Sequence, residues 1–151
     1  MVNNFQKIGS VSNAHVGRDF ENAAQEYFGQ QGIGLRQGHG VQIGFSSKRE
    51  HKFDLGADKP PTLVECKAHT WTSGGNVPSA KITVWNEAML YFSLAPRDSH
   101  KILFVLRDWS AKRGESLAEY YVRTHGHLIP DDVEILEYDE RNKSAVSVTG
   151  T

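Results

Sequence analysis

Residues 51–69, with the sequence HKFDLGADKPPTLVECKAH, contain the hairpin on which the predicted fold depends. Apolar residues stand on both sides of the stretch 58–61 (DKPP), and the two prolines predict a turn there because proline cannot donate to a strand ladder. The pattern therefore predicts one strand at about 51–56 and a second at about 62–69. A connection this short makes the two strands antiparallel neighbours.

Three charged side chains on this hairpin are predicted to converge. Successive residues of a strand point to opposite faces, so Glu65 and Lys67 share one face and Cys66 points to the other. The short turn brings Asp54 of the first strand near Glu65. Two carboxylates in apolar surroundings repel each other, and a divalent cation offsets that repulsion. Mg²⁺, or Mn²⁺ in its place, is the expected cofactor, because hard cations prefer oxygen ligands and need only one or two protein carboxylates.

Upstream of the hairpin, the sequence predicts a helix, a glycine-rich turn region and one more strand. The helix covers about 13–30, and Glu21 lies on the edge of its apolar stripe. That stripe, with intervals of three and four residues, consists of Val16, Phe20, Ala23, Ala24, Tyr27 and Phe28. Four glycines within 32–40 predict turns, and alternating apolar residues predict a strand at about 41–45. This strand and the hairpin form an antiparallel three-strand meander.

Downstream of the hairpin, helical and strand patterns alternate. The predicted elements are a helix at about 78–94, a strand at 101–107 buried on both faces, a helix at about 115–124, a strand at 133–138 and a further candidate strand at 145–149. The core side of the first of these helices carries Ile82, Trp85, Ala88, Met89 and Phe92. This order predicts an α/β fold in which helices flank both faces of a mixed central sheet, as one domain over 1–151.

Asp54, ten intervening residues and then Glu65-x-Lys67 resemble the motif of the PD-(D/E)xK nucleases, the restriction-endonuclease-like superfamily. The order of elements over roughly 16–106 is also similar to the core of that superfamily. One position departs from the pattern, because Phe53 stands where the family name implies proline.

The resemblance implies roles for four side chains and a function. Asp54 and Glu65 would bind the metal, Lys67 would serve the attacking water, and Glu21 would support a metal directly or through water. The implied protein is a metal-dependent nuclease that hydrolyses phosphodiester bonds of nucleic acid, with DNA favoured. The same features are similar to archaeal-type Holliday-junction resolvases, so the resemblance does not fix the substrate. Double-strand cutting by a domain this small needs two active sites, which makes a homodimer the expected assembly.

Two further side chains are candidates for substrate contact. Lys81 lies at the start of the helix that follows the hairpin, in line with its core stripe, although a lysine there can also extend from the helix into solvent. His69 is two residues beyond Lys67 and shares its predicted face. In the same helix, Glu87-x-x-x-Tyr91 partly matches a Gln-x-x-x-Tyr motif that some related nucleases carry.

Composition keeps two alternatives open. Lys plus Arg (17) nearly equals Asp plus Glu (18), which lowers the expected affinity for bulk DNA. One alternative is therefore a non-catalytic nucleic-acid-binding or assembly module on the same fold. The other is an unrelated α/β protein in which Glu65 and Lys67 form an ordinary surface ion pair. The single cysteine excludes an intrachain disulfide, and the absence of a long apolar run argues against a membrane span, so a cytoplasmic location is expected.

Overall fold

The computed structural model describes residues 13–149, with side chains from Gly17 onward. The ends of the predicted 1–151 domain and the side chain of Val16 lie outside these described residues. In chain order the elements are α1 (Asn13–Gln30), β1 (Arg36–Ile43), β2 (Arg49–Asp58), β3 (Pro61–Lys67), α2 (Ser79–Ser93), β4 (His100–Leu106), β5 (Trp109–Ser110), β6 (Glu115–Ser116), α3 (Leu117–His125), a single 3₁₀ turn (Gly126–Leu128), β7 (Val133–Asp139) and β8 (Ser144–Ser147).

Six strands form one mixed sheet in the order β1-β2-β3-β4-β7-β8. Neighbours in the meander β1-β2-β3 are antiparallel, β3, β4 and β7 are mutually parallel, and β8 pairs antiparallel with β7. The parallel neighbours are joined by connections that contain α2 and α3, as parallel pairs require. The predicted mixed sheet and antiparallel meander are therefore confirmed.

Helices pack on both faces of this sheet, which was also predicted. On one face α1 buries Phe20, Ala24 and Phe28 against the strands. The opposite face is covered by α2 and α3, and all five predicted core residues of α2 are buried there. In β4 the residues alternate between the two cores and are buried throughout 101–106, as the continuous apolar run predicted. No helix in the described part of the chain is long and apolar enough to cross a membrane.

The glycine-rich region is a strand for much of its length, which corrects the sequence prediction of turns. Cross-strand pairing with β2 extends from Arg36 to Ile43 with a break at Gly38. The strand ends at Ile43, so Phe45 lies beyond it and is 79% exposed. Pairing with β2 outweighs the low strand preference of the glycines because tertiary context decides strand formation. On the neighbouring strand β2, residue 56 must be glycine, because a Cβ on Gly56 would lie 2.4 Å from the buried ring of His39.

A short hairpin precedes α3, and the sequence patterns did not predict it. Trp109–Ser110 pairs antiparallel with Glu115–Ser116, so α3 begins at Leu117 and not at residue 115. The Ser116 side chain then accepts a hydrogen bond from the backbone N–H of Glu119, and the Glu119 carboxylate accepts one from the backbone N–H of Ser116. This capping box satisfies two donors at the helix start.

Candidate active site

The ladder between β2 and β3 ends at the residues that carry the predicted site. Pairing runs from Asp58↔Pro61 to Leu55↔Val64, and Asp54 and Glu65 are the next residues along the two strands. Beyond this point a side chain replaces the backbone pairing. Asp54 Oδ2 accepts a hydrogen bond of 2.8 Å from the backbone N–H of Cys66. A carboxylate is thereby fixed in the gap where the strands separate.

The alternation of faces along β2 is interrupted at the same point. Phe53 packs in the core under α2, whereas Leu55 packs in the core under α1, although residues two apart in a regular strand share a face. Asp54, the residue between them, is where the alternation of side chains between the two faces of β2 is broken. This irregularity directs Asp54 toward β3, and a strict two-residue alternation could not have placed it there.

Glu65 and Lys67 point to the α2 side of the sheet, in a buried environment. Glu65 is only 5% exposed, and the Lys67 Nζ atom lies 3.7 Å from Glu65 Oε2. Cys66 packs toward α1, and burial raises the pKa of its thiol well above the ordinary value, which disfavours the nucleophilic thiolate. The alternative of an ordinary surface ion pair between Glu65 and Lys67 is wrong, because the carboxylate is buried.

The electrostatics of Glu65 place Asp54 beside it. Burial raises the pKa of Glu65 to about 8, and the charge of Asp54 and a hydrogen bond that the protonated Glu65 carboxyl donates to Asp54 add to this rise, while Lys67 opposes it. A carboxylate is thus held where its charged form is unfavourable. Metal ions reverse such an effect, because a divalent cation stabilises the charged form of both carboxylates.

Glu21 reaches this group from the other side of the sheet. It lies on α1 and is half-buried. Burial and then the charge of Asp54 raise the pKa of its carboxyl, while Lys67 and Arg18 lower it. The structure therefore brings Glu21, Asp54, Glu65 and Lys67 into one electrostatic neighbourhood.

His51 is a member of the site that sequence reasoning missed. Its Nε2 atom lies 3.0 Å from Glu65 Oε1, in a hydrogen bond. The ring is held between Tyr91, stacked at 4.1 Å between centroids, and the edge contact of Phe53 at 4.6 Å. Burial lowers the pKa of His51, so the neutral imidazole is favoured. The available signal was its place two residues before Phe53 on the predicted strand, which gives the two residues a common face.

The two candidates for substrate contact lie together near the end of β3. His69 Nδ1 accepts a hydrogen bond of 2.8 Å from the indole Nε1 of Trp85. Burial, followed by the charges of Lys67 and Lys81, lowers the pKa of His69 to about 4. Lys81 itself is exposed in the first turn of α2. His69 is therefore a neutral side chain at physiological pH, and Lys81 supplies an exposed positive charge beside it.

The partial match Glu87-x-x-x-Tyr91 also lies over the site. A hydrogen bond links the two side chains, and burial followed by the charge of Glu87 raises the pKa of the Tyr91 hydroxyl. The Tyr91 ring covers His51, which in turn contacts Glu65. The α2 helix thus forms one wall of the group.

The donor chemistry of the group suits a hard cation. Asp54 and Glu65 supply carboxylate oxygens, and Mg²⁺ needs only one or two of these when waters and phosphate oxygens complete its shell. Among the described residues, no group of three or more His, Cys, Asp or Glu side chains is arranged to hold a metal ion. The assignment of Glu21 as a further ligand therefore stays a prediction.

A cavity of about 660 Å³ lies at the other end of the sheet, near His100 and Asp132. It borders the amino-terminal ends of β4 and β7, whereas the carboxylate group lies at the carboxyl-terminal end of β3. Its lining includes three acidic residues and His100, and the buried Lys101 donates a 2.7 Å hydrogen bond to Asp132 there. The buried carboxyl of Glu65, whose pKa is raised to about 8, lies on the hairpin and not at this cavity. Comparison with family models, curated proteins and solved structures found no match for this chain.

Proposed function

We propose that this chain is a nuclease of the PD-(D/E)xK type that uses Mg²⁺ or Mn²⁺ to hydrolyse phosphodiester bonds of nucleic acid, with DNA as the favoured substrate. The observation that carries the proposal is the contact between Asp54 and Glu65 where β2 and β3 separate, with the Lys67 ammonium 3.7 Å from Glu65. Perturbed carboxylates held together beside a lysine are a recurring feature of functional sites.

The burial of this group argues against a purely structural role. A carboxylate as enclosed as Glu65 destabilises the fold when it is charged, and a neighbouring Asp54 increases that cost. A fold that needed only packing would be better served by an apolar residue at this position. The arrangement is explained when the two carboxylates hold a divalent cation.

Each side chain then has a defined task. Asp54 and Glu65 would hold the cation, which when bound would supply Lewis-acid chemistry at a phosphate oxygen. Lys67 Nζ, on the same face as Glu65, holds the attacking water and stabilises negative charge that develops on the phosphate oxygens. Water adds across the P–O ester bond, so the products are a phosphate monoester and a free hydroxyl.

The topology supports the proposal at a coarser level. A restriction-endonuclease-like core, as expected from the resemblance, has a helix, a meander that carries the motif, a helix and then a strand. The order α1, β1-β2-β3, α2 and β4, with β4 parallel to β3, agrees with this expectation. Fold alone does not establish activity, so the proposal depends on the site and not on the topology.

A cleavage assay with Mg²⁺ and Mn²⁺ tests the proposal on supercoiled plasmid, linear duplex, branched DNA and RNA. Lys67→Ala should lose at least about 100-fold in rate, since it removes stabilisation of the transition state. Arg97→Ala is the matched control, because Arg97 is an exposed cation before the amino-terminal end of β4, away from the site. Thermal melting should show both variants folded.

Metal-dependent cutting that disappears in Lys67→Ala and persists in Arg97→Ala supports the proposal. Equal cutting by wild type and Lys67→Ala contradicts it. Binding of nucleic acid with no cleavage and no metal requirement would instead support the non-catalytic binding module.

A further inference from the structure

One of the three tryptophans is exposed at the end of the sheet where the proposed site lies. Trp85 and Trp71 are 0% and 7% exposed, whereas Trp109 is 51% exposed. Trp109 opens the short hairpin that follows β4, at the carboxyl-terminal end of that strand. A single exposed apolar side chain is common on protein surfaces, so the surroundings of Trp109 decide whether it has a role.

An arginine paired with a buried carboxylate lies against one side of the Trp109 ring. The Glu137 side chain is 1% exposed, and its Oε1 accepts a 2.6 Å hydrogen bond from Arg107 Nη1. The Arg107 guanidinium lies 5.5 Å from the centroid of Trp109. The buried carboxylate fixes the arginine and the arginine orients the ring, so one face of Trp109 is held by Arg107 while the side chain remains half exposed.

The hairpin that carries Trp109 is itself tied to the loop after β3. Arg113 donates from Nε to the carbonyl of Gly75 at 2.7 Å, and its guanidinium lies 4.8 Å from the Trp71 ring. Trp71 in turn donates from its backbone N–H and its indole to Asp108. These hydrogen bonds and ring contacts hold the loop after β3 and the hairpin together as one rigid support. They argue against a loop that closes freely over a substrate.

The register of the sheet places this support beside the proposed catalytic lysine. Lys67 pairs with Val105 of β4, and Arg107 follows two residues later on the same face, with its guanidinium bonded to Glu137 of β7. Two more cations, Lys112 and Arg113, belong to the same hairpin. Positively charged side chains and an exposed aromatic ring therefore lie next to the site, at the carboxyl ends of the parallel strands.

We infer that the Trp109 surface, formed by Arg107, Trp109, Lys112 and Arg113, binds an unpaired nucleotide next to the cleavage site. The base stacks on the open face of Trp109, and the lysine and arginine side chains neutralise the adjacent phosphates. A base inside a duplex is covered on both faces by its neighbours and reaches such a ring only after unstacking. The favoured substrate is therefore single-stranded or branched nucleic acid, an inference that rests on the proposed function for the class of ligand.

The test is a binding titration of the full chain in EDTA, so that no cleavage occurs. The probes are a single-stranded oligonucleotide of about 12 nucleotides, a length suited to such surfaces, and a duplex of the same sequence. Because Trp109 is the exposed tryptophan, its fluorescence should be quenched by the single strand. Trp109→Ala should bind the single strand about tenfold more weakly than wild type, and Trp109→Phe should keep most of the affinity.

Phe45→Ala is the matched control, because Phe45 is 79% exposed in the turn after β1, and β1 is three strands away from β4, which leads into the Trp109 hairpin. Its affinity should equal that of wild type. Unchanged binding in Trp109→Ala, or a wild type that binds duplex at least as tightly as the single strand, overturns the inference, and so does a wild type that binds neither probe. A wild type that binds through Trp109 but never cuts with Mg²⁺ or Mn²⁺ supports this inference while the proposed catalytic function fails.

Discussion

At the scale of single residues, Glu65 couples the stability of the fold to pH. Its pKa is about 8 in the folded protein against an ordinary value of 4.5. Between these values the folded state binds more protons than the unfolded chain, so the free energy of unfolding falls as pH rises. The stabilising protonated form is fully present below about pH 4.5 and is lost as pH rises through about 8.

Glu65→Gln should therefore stabilise the metal-free protein in alkaline solution. The amide mimics the protonated carboxyl and carries no charge, and each unit of raised pKa corresponds to about 1.4 kcal/mol. In EDTA the variant should melt several degrees above wild type at pH 9 and within about one degree of it at pH 5. Adding Mg²⁺ at pH 8 should raise the melting temperature of wild type more than that of the variant. Parallel melting curves across this pH range would contradict the raised pKa of Glu65.

His51 is expected to position Glu65 rather than to react. The hydrogen bond to Glu65 Oε1 and the stacking on Tyr91 fix both rings relative to the carboxylate. His51→Ala should weaken the affinity for Mg²⁺ by about tenfold, as losses of such supporting contacts commonly do. Calorimetric titration of Mg²⁺ measures this without cleavage, and His51→Gln should restore part of the affinity by offering a donor.

His100→Ala provides the comparison for His51→Ala. His100 is an exposed histidine whose Nε2 lies 3.6 Å from Glu134, at the opposite end of the sheet. Its variant should bind Mg²⁺ as wild type does. Equal loss in the two histidine variants would mean that the effect is unrelated to Glu65.

The predicted catalytic residues follow from simple strand geometry, with one exception. Alternation alone places Glu65 and Lys67 together, and the short turn brings Asp54 near them. The interruption at Asp54 could not be predicted, because it depends on the Cys66 backbone N–H of the neighbouring strand. His51 was missed because its role depends on a ring from α2, which is far away in sequence.

At the scale of the elements, long periodic segments were predictable and short or glycine-rich ones were not. The bounds of α1 agree with the prediction to the residue, and β4 matches its continuous apolar run. The start of β1 was missed because glycine carries no strand signal of its own, and its pairing with β2 provides the missing stability. Strands of two residues, such as β5 and β6, are too short to show a period at all.

The capping box at the start of α3 should contribute measurably to stability. Ser116 is fully buried, and its hydroxyl accepts from the Glu119 N–H at 3.1 Å. Ser116→Ala leaves that donor without its partner and should lower the free energy of unfolding by about 1 kcal/mol. Urea denaturation measures the change, with Ser144→Ala at the exposed start of β8 as a control that should stay within about 0.5 kcal/mol of wild type. A Ser116→Ala protein as stable as the control would show that the cap contributes nothing.

At the scale of the whole molecule, the two ends of the sheet differ in charge. The carboxyl ends of β3 and β4 meet Lys67, Arg107 and the cations of the β5–β6 hairpin. The amino ends of β4 and β7 border a cavity whose lining includes Asp131, Asp132 and Glu134, with Lys101 paired to Asp132. The net charge of −1 is therefore compatible with an uneven distribution of charged side chains over the surface. A nearly neutral protein can bind phosphate locally where cations are concentrated.

On the proposed function each chain carries one cutting site, so the oligomeric state determines the product. We expect a homodimer to linearise supercoiled plasmid, because each protomer cuts one strand, whereas a monomer nicks it. The linear product should therefore rise over the protein concentrations at which sedimentation detects the dimer. Mixing wild type with excess Lys67→Ala should convert linear product into nicked circles, since mixed dimers hold one working lysine. Linear product formed in a single encounter by a chain that sediments as a monomer would contradict the homodimer, and nicking alone would agree with the inferred binding of an unpaired nucleotide at Trp109.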